Sequence, residues 1–338
     1  MLTTARTATS TIQVRLNGVK KQVLDPRDEP FRFRAPQGLF RVAASVDNRF
    51  RCSPVEDQGN LGSCTANAIA GAIEANENTK ILGKSATVLS GAAQVQSDGS
   101  VQFLTVVRPS WKVTAASVQY TTPTVDGAGN ISFTGMVQPT SATAAKVSSF
   151  VNLSRLFQYY ATRTLEGSVN FDAGASLRNS IKAAVNYGCL DETLWPYDTQ
   201  KFAVKPPQPL WTQAASRKVT SYHGINDGDV ASMKAALNLG FLVPFGFLVY
   251  DYFMSADMGA KGLLGRPKPG EKVLGGHAVC LVGYDDTKVM PDGSKGAFLV
   301  RNSWGPTWGV GGYFWMAYNY VADPTLAWDF WVIQSNPF

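Results

Sequence analysis

The sequence predicts an α+β protein in two lobes, helical in its first half and β-rich in its second, with a β-rich segment set into the helical lobe. Three observations carry this expectation. Ala-rich or apolar-periodic runs that read as helices, at 65–76, 152–166, 175–187 and 229–239, all fall before residue 240. Apolar runs of strand length, at 242–250, 277–284, 297–302 and 312–316, follow it. Between 85 and 147 charge is depleted, and short alternating runs flank Ser97-Asp98-Gly99-Ser100 and Asp126-Gly127-Ala128-Gly129-Asn130, both hairpin turns. The implied organisation is a hairpin and extended strap over 1–50, a helical lobe over 51–215 interrupted by the 85–147 insertion, and a β lobe over 216–338.

In chain order, residues 1–10 lack the apolar core of a secretory signal. Alternating runs at 11–16 and 19–24 flank Asn17-Gly18, a strong hairpin signal. Residues 24–50 are rich in Pro and Arg and read as a strap, either covering a cleft or simply packing on the body. The helix at 65–76 follows Gly59 and Gly62, which permit a tight turn into it. Leu153, Leu156, Phe157 and Tyr160 recur at helical spacing and read as a core stripe. Gly188 and Gly240 stand where helices should stop.

Composition excludes several classes. At 45% hydrophobic and 17% charged residues over 338 positions, global disorder is not expected. The net charge of +6 with a pI near 9.1 would suit an acidic partner, but Lys and Arg are scattered, so no nucleic-acid groove is expected. No apolar run reaches the ~18 residues needed to cross a bilayer, so no membrane partner is expected either. The four cysteines, Cys52, Cys64, Cys189 and Cys280, form no CxxC pair, and the histidines are His223 and His277. No zinc site or other metal is implied, and no organic cofactor. Cys52 and Cys189 are left open as a possible bonded pair. The lack of a signal peptide leans toward reduced thiols and an intracellular setting.

The chemistry gathers on four residues. Cys64 opens the Ala-rich helix, where unpaired N–H groups and the helix dipole favour a thiolate, although a buried small apolar residue is the commoner fate of a lone cysteine. Gln58, six residues earlier, is placed to donate from its side-chain amide to an oxygen that turns negative near the sulfur, with the Cys64 N–H as second donor. His277 begins an apolar strand after Gly275-Gly276, which suits a general base facing a cleft or a structural histidine. Asn302 and Trp304 end the next strand. An amide oxygen accepting from the imidazole would fix its tautomer, and the indole would keep water from that bond; a turn cap and a core aromatic are the alternatives. Each reading alone is weak, but Gln, Cys, His and Asn in that order and context point together to nucleophilic acyl transfer. His223, beside Tyr222, reads as structural.

These residues resemble the motifs of papain-like cysteine peptidases: Gln58 to Cys64 as Q-x-x-x-G-S-C, His277-Ala278-Val279 as H-A-V, and Asn302-Ser303-Trp304-Gly305 as N-S-W-G. Ser154-Arg155-Leu156-Phe157, Trp195-Pro196-Tyr197-Asp198 and Gly275-Gly276-His277 are most similar to the bacterial, xylellain-like branch. The resemblance spans about 25–320 and implies a papain-like two-lobe fold with a helical left lobe and a β-barrel-like right lobe. His277 lies 213 residues after Cys64, against the roughly 130 to 150 usual from the cysteine to its partners, an excess the insertion largely accounts for. Carried over by motif, Cys64 is the nucleophile, His277 the general base and acid, Asn302 the orienter and Gln58 an oxyanion donor. Gly174, Gly276 and Trp304 are implied as substrate contacts, with a protein or peptide as substrate. Leu61 stands in place of a cysteine that archetypal members bridge, and Thr65 in place of the usual aromatic. The region before the nucleophile is also too short for a long helical prosegment. A catalytically silent module, and a transpeptidase or amidase, are the rival readings. The 85–147 insertion is expected to serve as a lid or partner surface, or as decoration.

Overall fold

In the computed structural model, the described residues are 2–6, 11–16, 18–22, 25–26, 28–31, 43–83, 89–95, 101–103, 116–120, 124–125, 131–139 and 150–335. They divide into two compact units, one of Met1–Glu77 with Val151–Phe338 and one of Asn78–Phe150. The larger unit begins with β1 (Leu2–Arg6), β2 (Thr11–Arg15) and β3 (Ser45–Asp47), followed by α1 (Cys64–Gly83), which runs on into the smaller unit. The smaller unit carries β4 (Leu89–Val95), β5 (Val101–Phe103), β6 (Ala116–Tyr120), β7 (Thr124–Val125) and β8 (Ile131–Pro139) in a five-stranded antiparallel sheet. Pairing of β4 with β5 and of β7 with β8 forms the two expected hairpins. The side chains of this unit that would make a partner surface lie outside the described residues.

The larger unit resumes with α2 (Arg155–Leu165), α3 (Leu177–Asn186), α4 (Gln208–Ala214), β9 (Val219–Ile225) and α5 (Val230–Asn238). Then follow β10 (Val243–Tyr250), α6 (Ala256–Lys261), β11 (Leu263–Leu264), β12 (Val273–Val289), β13 (Lys295–Arg301), β14 (Tyr313–Ala317), α7 (Tyr318–Val321), β15 (Ala327–Trp328) and β16 (Phe330–Ser335). Helix starts are set by side-chain caps: Ser154 Oγ accepts from the Phe157 N–H, Ser176 Oγ from Asn179 and Asp229 Oδ1 from Ser232. Gly188 follows α3 at φ +89° with its Cα against the Ala214 carbonyl, so that chain reversal requires glycine.

The sheet that positions the site runs in the order β11-β14-β13-β12-β10-β15, with β3 also on β12. Among the described residues no pairing joins its two ends, so the expected barrel-like lobe is an open sheet. One apolar core contains Phe245, Phe247, Val279, Leu281, Phe298 and Phe314. Another is built by α1 through Ile69, Ala72 and Ile73 with Leu177, Ile181, Cys280 and Val282. The alanines are what let β12 approach α1, since a helix without bulk on that side leaves room for the strand.

The N-terminal hairpin differs from expectation. Residues 11–15 pair backwards with Leu2–Arg6, not forwards across Asn17-Gly18. Val19 instead bridges in parallel to Ala175, with the Ala175 N–H donating to Gly18 O at 2.8 Å and the Lys20 N–H to Ala175 O at 2.9 Å. Two ladder bonds and burial of Val19 on the body replace what a local turn would have supplied. Much of the 24–50 strap lies outside the described residues. No described helix is long and apolar enough to cross a membrane.

Candidate active site

The loop before Cys64 is stitched to the turn after β13. The Gln58 N–H donates to Ser303 O at 2.8 Å, the Gly305 N–H to Glu56 O at 2.9 Å, and Asp57 bridges to Trp304. These bonds carry Gln58, Cys64 and Asn302, far apart in sequence, into one region. Gly62 precedes the helix because a Cβ there would stand 2.9 Å from Asp172 Oδ1, which accepts its N–H at 3.0 Å. Leu61 packs with Ala66, Leu156 and Tyr159, so an apolar contact stands where archetypal relatives are crosslinked. All four cysteines are free and buried, including the pair left open, Cys52 and Cys189.

His277 on β12 and Asn302 just past β13 meet at 2.8 Å between Nε2 and Oδ1. The Ser303 N–H donates to the same Oδ1 at 2.8 Å, which identifies that atom as the amide oxygen. Nε2 therefore carries the hydrogen, and Nδ1 is left as the basic nitrogen. Trp304 stacks on the imidazole at 4.9 Å and 27° and is 1% exposed, packed with Phe253 and Trp308. That places it behind the ring, so its expected role as a substrate contact gives way to keeping water from the His277–Asn302 bond. His223 lies elsewhere, on β9 opposite Val332.

Cys64 packs in one core with Ala278 of β12, the residue after His277. The His277 Nδ1 has no hydrogen-bond partner among the described residues, the thiol included. Burial pushes the thiol up to about 12, only partly offset by the N–H groups of Ala278, Thr65 and Cys64. Burial likewise holds His277 down at about 4 against the opposing Asn302 bond. Near neutral pH this arrangement therefore keeps thiol and imidazole both uncharged, unlike the thiolate that the helix start alone would favour. Gln58 is fully buried; its Nε2 donates to Leu61 O at 2.9 Å and its Oε1 accepts from Ser303 Oγ at 2.6 Å.

Burial of the thiol has a specific cause that sequence reasoning missed. A Cβ on Gly18 would lie 2.7 Å from Cys64 Sγ and 2.8 Å from Gly62 O, so residues 18–20, ahead of the 24–50 segment, form the strap that passes directly over the sulfur. Val19, 8% exposed, sits against Gly276 and Gly246, whose Cβ positions would fall 2.9 and 3.4 Å from its methyls. Ion pairs anchor the strap on either side: Arg15 to Asp172 at 2.9 Å and Lys20 to Glu166 at 2.7 Å. Of the expected substrate contacts, Gly276 thus meets the strap. Gly174 donates its N–H to Tyr159 Oη at 3.1 Å, and its neighbour Ala175 makes the ladder with the strap. The only sequence hint was the glycine in Asn17-Gly18, which reads equally as a turn.

A neutral buried histidine makes stability depend on pH. Its folded pKa lies below the unfolded value near 6.5, so below that pH the unfolded chain takes up a proton the native chain refuses. Native stability should fall as pH drops from 6.5 toward 4, with a His277 contribution of about 3 kcal/mol by pH 4. Urea midpoints measured from pH 7 to 4.5 should show a shallower acid loss in His277→Gln than in the wild type.

Comparison with known proteins gives a consistent picture. The model of the papain family cysteine proteases matches residues 166–326, the stretch that holds His277 and Asn302. An uncharacterized peptidase C1-like protein of Acanthamoeba polyphaga mimivirus is 44% identical over 189 residues, 54% of this chain and 58% of that protein. Pro-cathepsin H of Bos taurus is 35% identical over 129 residues, 38% of this chain and 35% of that protein. The chain thus spans between a third and three fifths of the length of these two curated relatives. Xylellain, a cysteine protease from Xylella fastidiosa, superposes with a TM-score of 0.64 at 28% identity over 94% of this chain and 96% of its own. By sequence over residues 166–326 and by fold over most of its length, the chain is similar to the papain family of cysteine proteases.

Proposed function

We propose that this chain is a cysteine endopeptidase whose nucleophile is Cys64. The observation that carries the reading is the packing of a helix-opening thiol with Ala278 of β12, next to a histidine whose far nitrogen is committed to Asn302. Once the strap is displaced, Nδ1 of His277 takes the thiol proton and the thiolate attacks a peptide carbonyl. The Cys64 N–H and the second hydrogen of Gln58 Nε2 stabilise the oxyanion. The imidazolium then protonates the leaving amine, and His277 activates water to hydrolyse the thioester. Asn302 stabilises the imidazolium as its Nε2–H···Oδ1 bond becomes charge-assisted.

Gln58→Ala should lower kcat about a hundredfold with KM little changed, because its donor is engaged fully only when charge develops on the oxygen. Steady-state kinetics on a fluorogenic peptide checks this. The strap over the thiol supports a further element of the reading: the described conformation is latent, and turnover requires Gly18 to leave the sulfur.

The test of the whole reading is incubation of the chain with a diverse peptide pool, with and without an added amine, followed by mass spectrometry. New termini formed by water in both conditions are the expected result. Amine-capped products alone would move the chain to the transferases, and intact peptides after strap removal would leave a silent module.

A further inference from the structure

Next to Asn302 lies a cavity of about 10 Å³ with a mixed lining, polar from Asn67, Glu74, Arg155, Arg301 and Asn302 and apolar from Ala68, Val279 and Cys280 among others. Two of its wall residues are chemically complementary. Asn302, 2% exposed, spends its Oδ1 on His277 and Ser303, while its Nδ2 has no hydrogen-bond partner among the described residues. Asn67, 7% exposed and three residues along α1 from Cys64, donates its Nδ2 to Ser63 O at 3.0 Å and Ser63 Oγ at 3.1 Å. Its Oδ1 likewise has no partner there. Asn302 thus leaves a buried donor and Asn67 a buried acceptor unmatched, and both residues line a space of about the size one water molecule requires.

We infer that Asn67 is a positioning residue, acting on the triad amide through a single buried water that accepts from Asn302 Nδ2 and donates to Asn67 Oδ1. The inference rests on the peptidase reading for its kinetic consequence, but not for the site itself. An amide that satisfies only one end can turn over, and a flipped Asn302 would present a donor to the Nε2–H of His277. Holding Nδ2 from behind keeps Oδ1 on the ring, and because Asn67 belongs to α1, it ties the nucleophile's helix to the orienter of the base. The orientation matters most when the ring is charged, since the Oδ1 bond is then at its strongest.

Asn67→Leu removes the acceptor and fills the cavity; Asn67→Ser keeps an oxygen on a shorter arm with space for a second water. In the full chain, Asn67→Leu should lower kcat about tenfold with KM within twofold. The alkaline limb of its kcat/KM profile should move down by roughly half a pH unit, as loss of support for the imidazolium requires. Asn67→Ser should hold kcat within about threefold, with the limb unmoved. A folded Asn67→Leu protein with unchanged kcat and profile overturns the inference. So does a loss of melting temperature with the limb unmoved, which would make Asn67 a packing residue only. A high-resolution crystal structure of the wild type decides the water independently: density bridging the two amides supports the site even if the chain cuts no peptide, and a dry cavity refutes it.

Discussion

Replacing Cys64 with alanine is expected to extinguish peptide hydrolysis, a fall of about a millionfold in kcat/KM if the other members of the constellation act only through the sulfur. Loss of fold will not be the reason. The side chain is fully buried at the first position of α1, where alanine is a good helix former, and the deletion removes one atom beneath a strap that can settle onto it. The main cost is the lost packing of one sulfur atom in the core that Cys64 shares with Ala68 and Ala278, about 1 kcal/mol. Thermal melts of variant and wild type should therefore lie within a few degrees while turnover disappears. Rescue by another thiol is not expected, because Cys52, Cys189 and Cys280 are all buried in the core and none opens α1 as Cys64 does. Residual activity above about a hundredth of the wild type would remove Cys64 from the role of nucleophile and with it the proposed mechanism.

The features legible in sequence were those set by local chemistry. Stop glycines marked helix ends, and the apolar run from His277 to Tyr284 marked a strand. Motif spacing was enough to bring Cys64, His277 and Asn302 into one argument, and in the fold Cys64 packs with Ala278, next to His277, whose ring meets Asn302 Oδ1. Features depending on contacts between distant segments were not legible. Asn17-Gly18 has the local signature of a turn, yet parallel pairing of Val19 with Ala175, 156 positions away, outweighs it. Trp304 carries no sequence mark that distinguishes a cleft wall from the back of the imidazole. The protonation states were misjudged for the same reason: a helix terminus favours a thiolate, but burial under the strap is the larger effect on Cys64. Asn67 drew no attention because an asparagine in an Ala-rich helix looks like a solvent-facing residue, and only the fold buries it in the wall of the cavity that Asn302 also lines.

Gly18→Val is expected to raise kcat/KM by between a hundredfold and a thousandfold, the opposite sign from every substitution in the catalytic constellation. A Cβ at this position would stand 2.7 Å from Cys64 Sγ and 2.8 Å from the Gly62 carbonyl, and the second of these is backbone that cannot turn aside. Overpacking of this kind costs about 1–3 kcal/mol or more. The strap's seat would also lose much of the burial of Val19, about 1.5–3 kcal/mol for a side chain of this size. The sum is comparable with two to three powers of ten in the closed-to-open ratio, at about 1.4 kcal/mol for each. The ion pairs Arg15–Asp172 and Lys20–Glu166 would hold the strap nearby, so high salt should add to the opening in the variant. Alkylation reads the same change without any substrate. In the wild type the covered, uncharged thiol should react slowly and mainly toward alkaline pH, whereas in Gly18→Val water reaches both groups, the penalty on charge falls, and labelling of Cys64 should become fast below pH ~8.5. Equal labelling and equal turnover in the two proteins would show that the strap does not govern access to the sulfur.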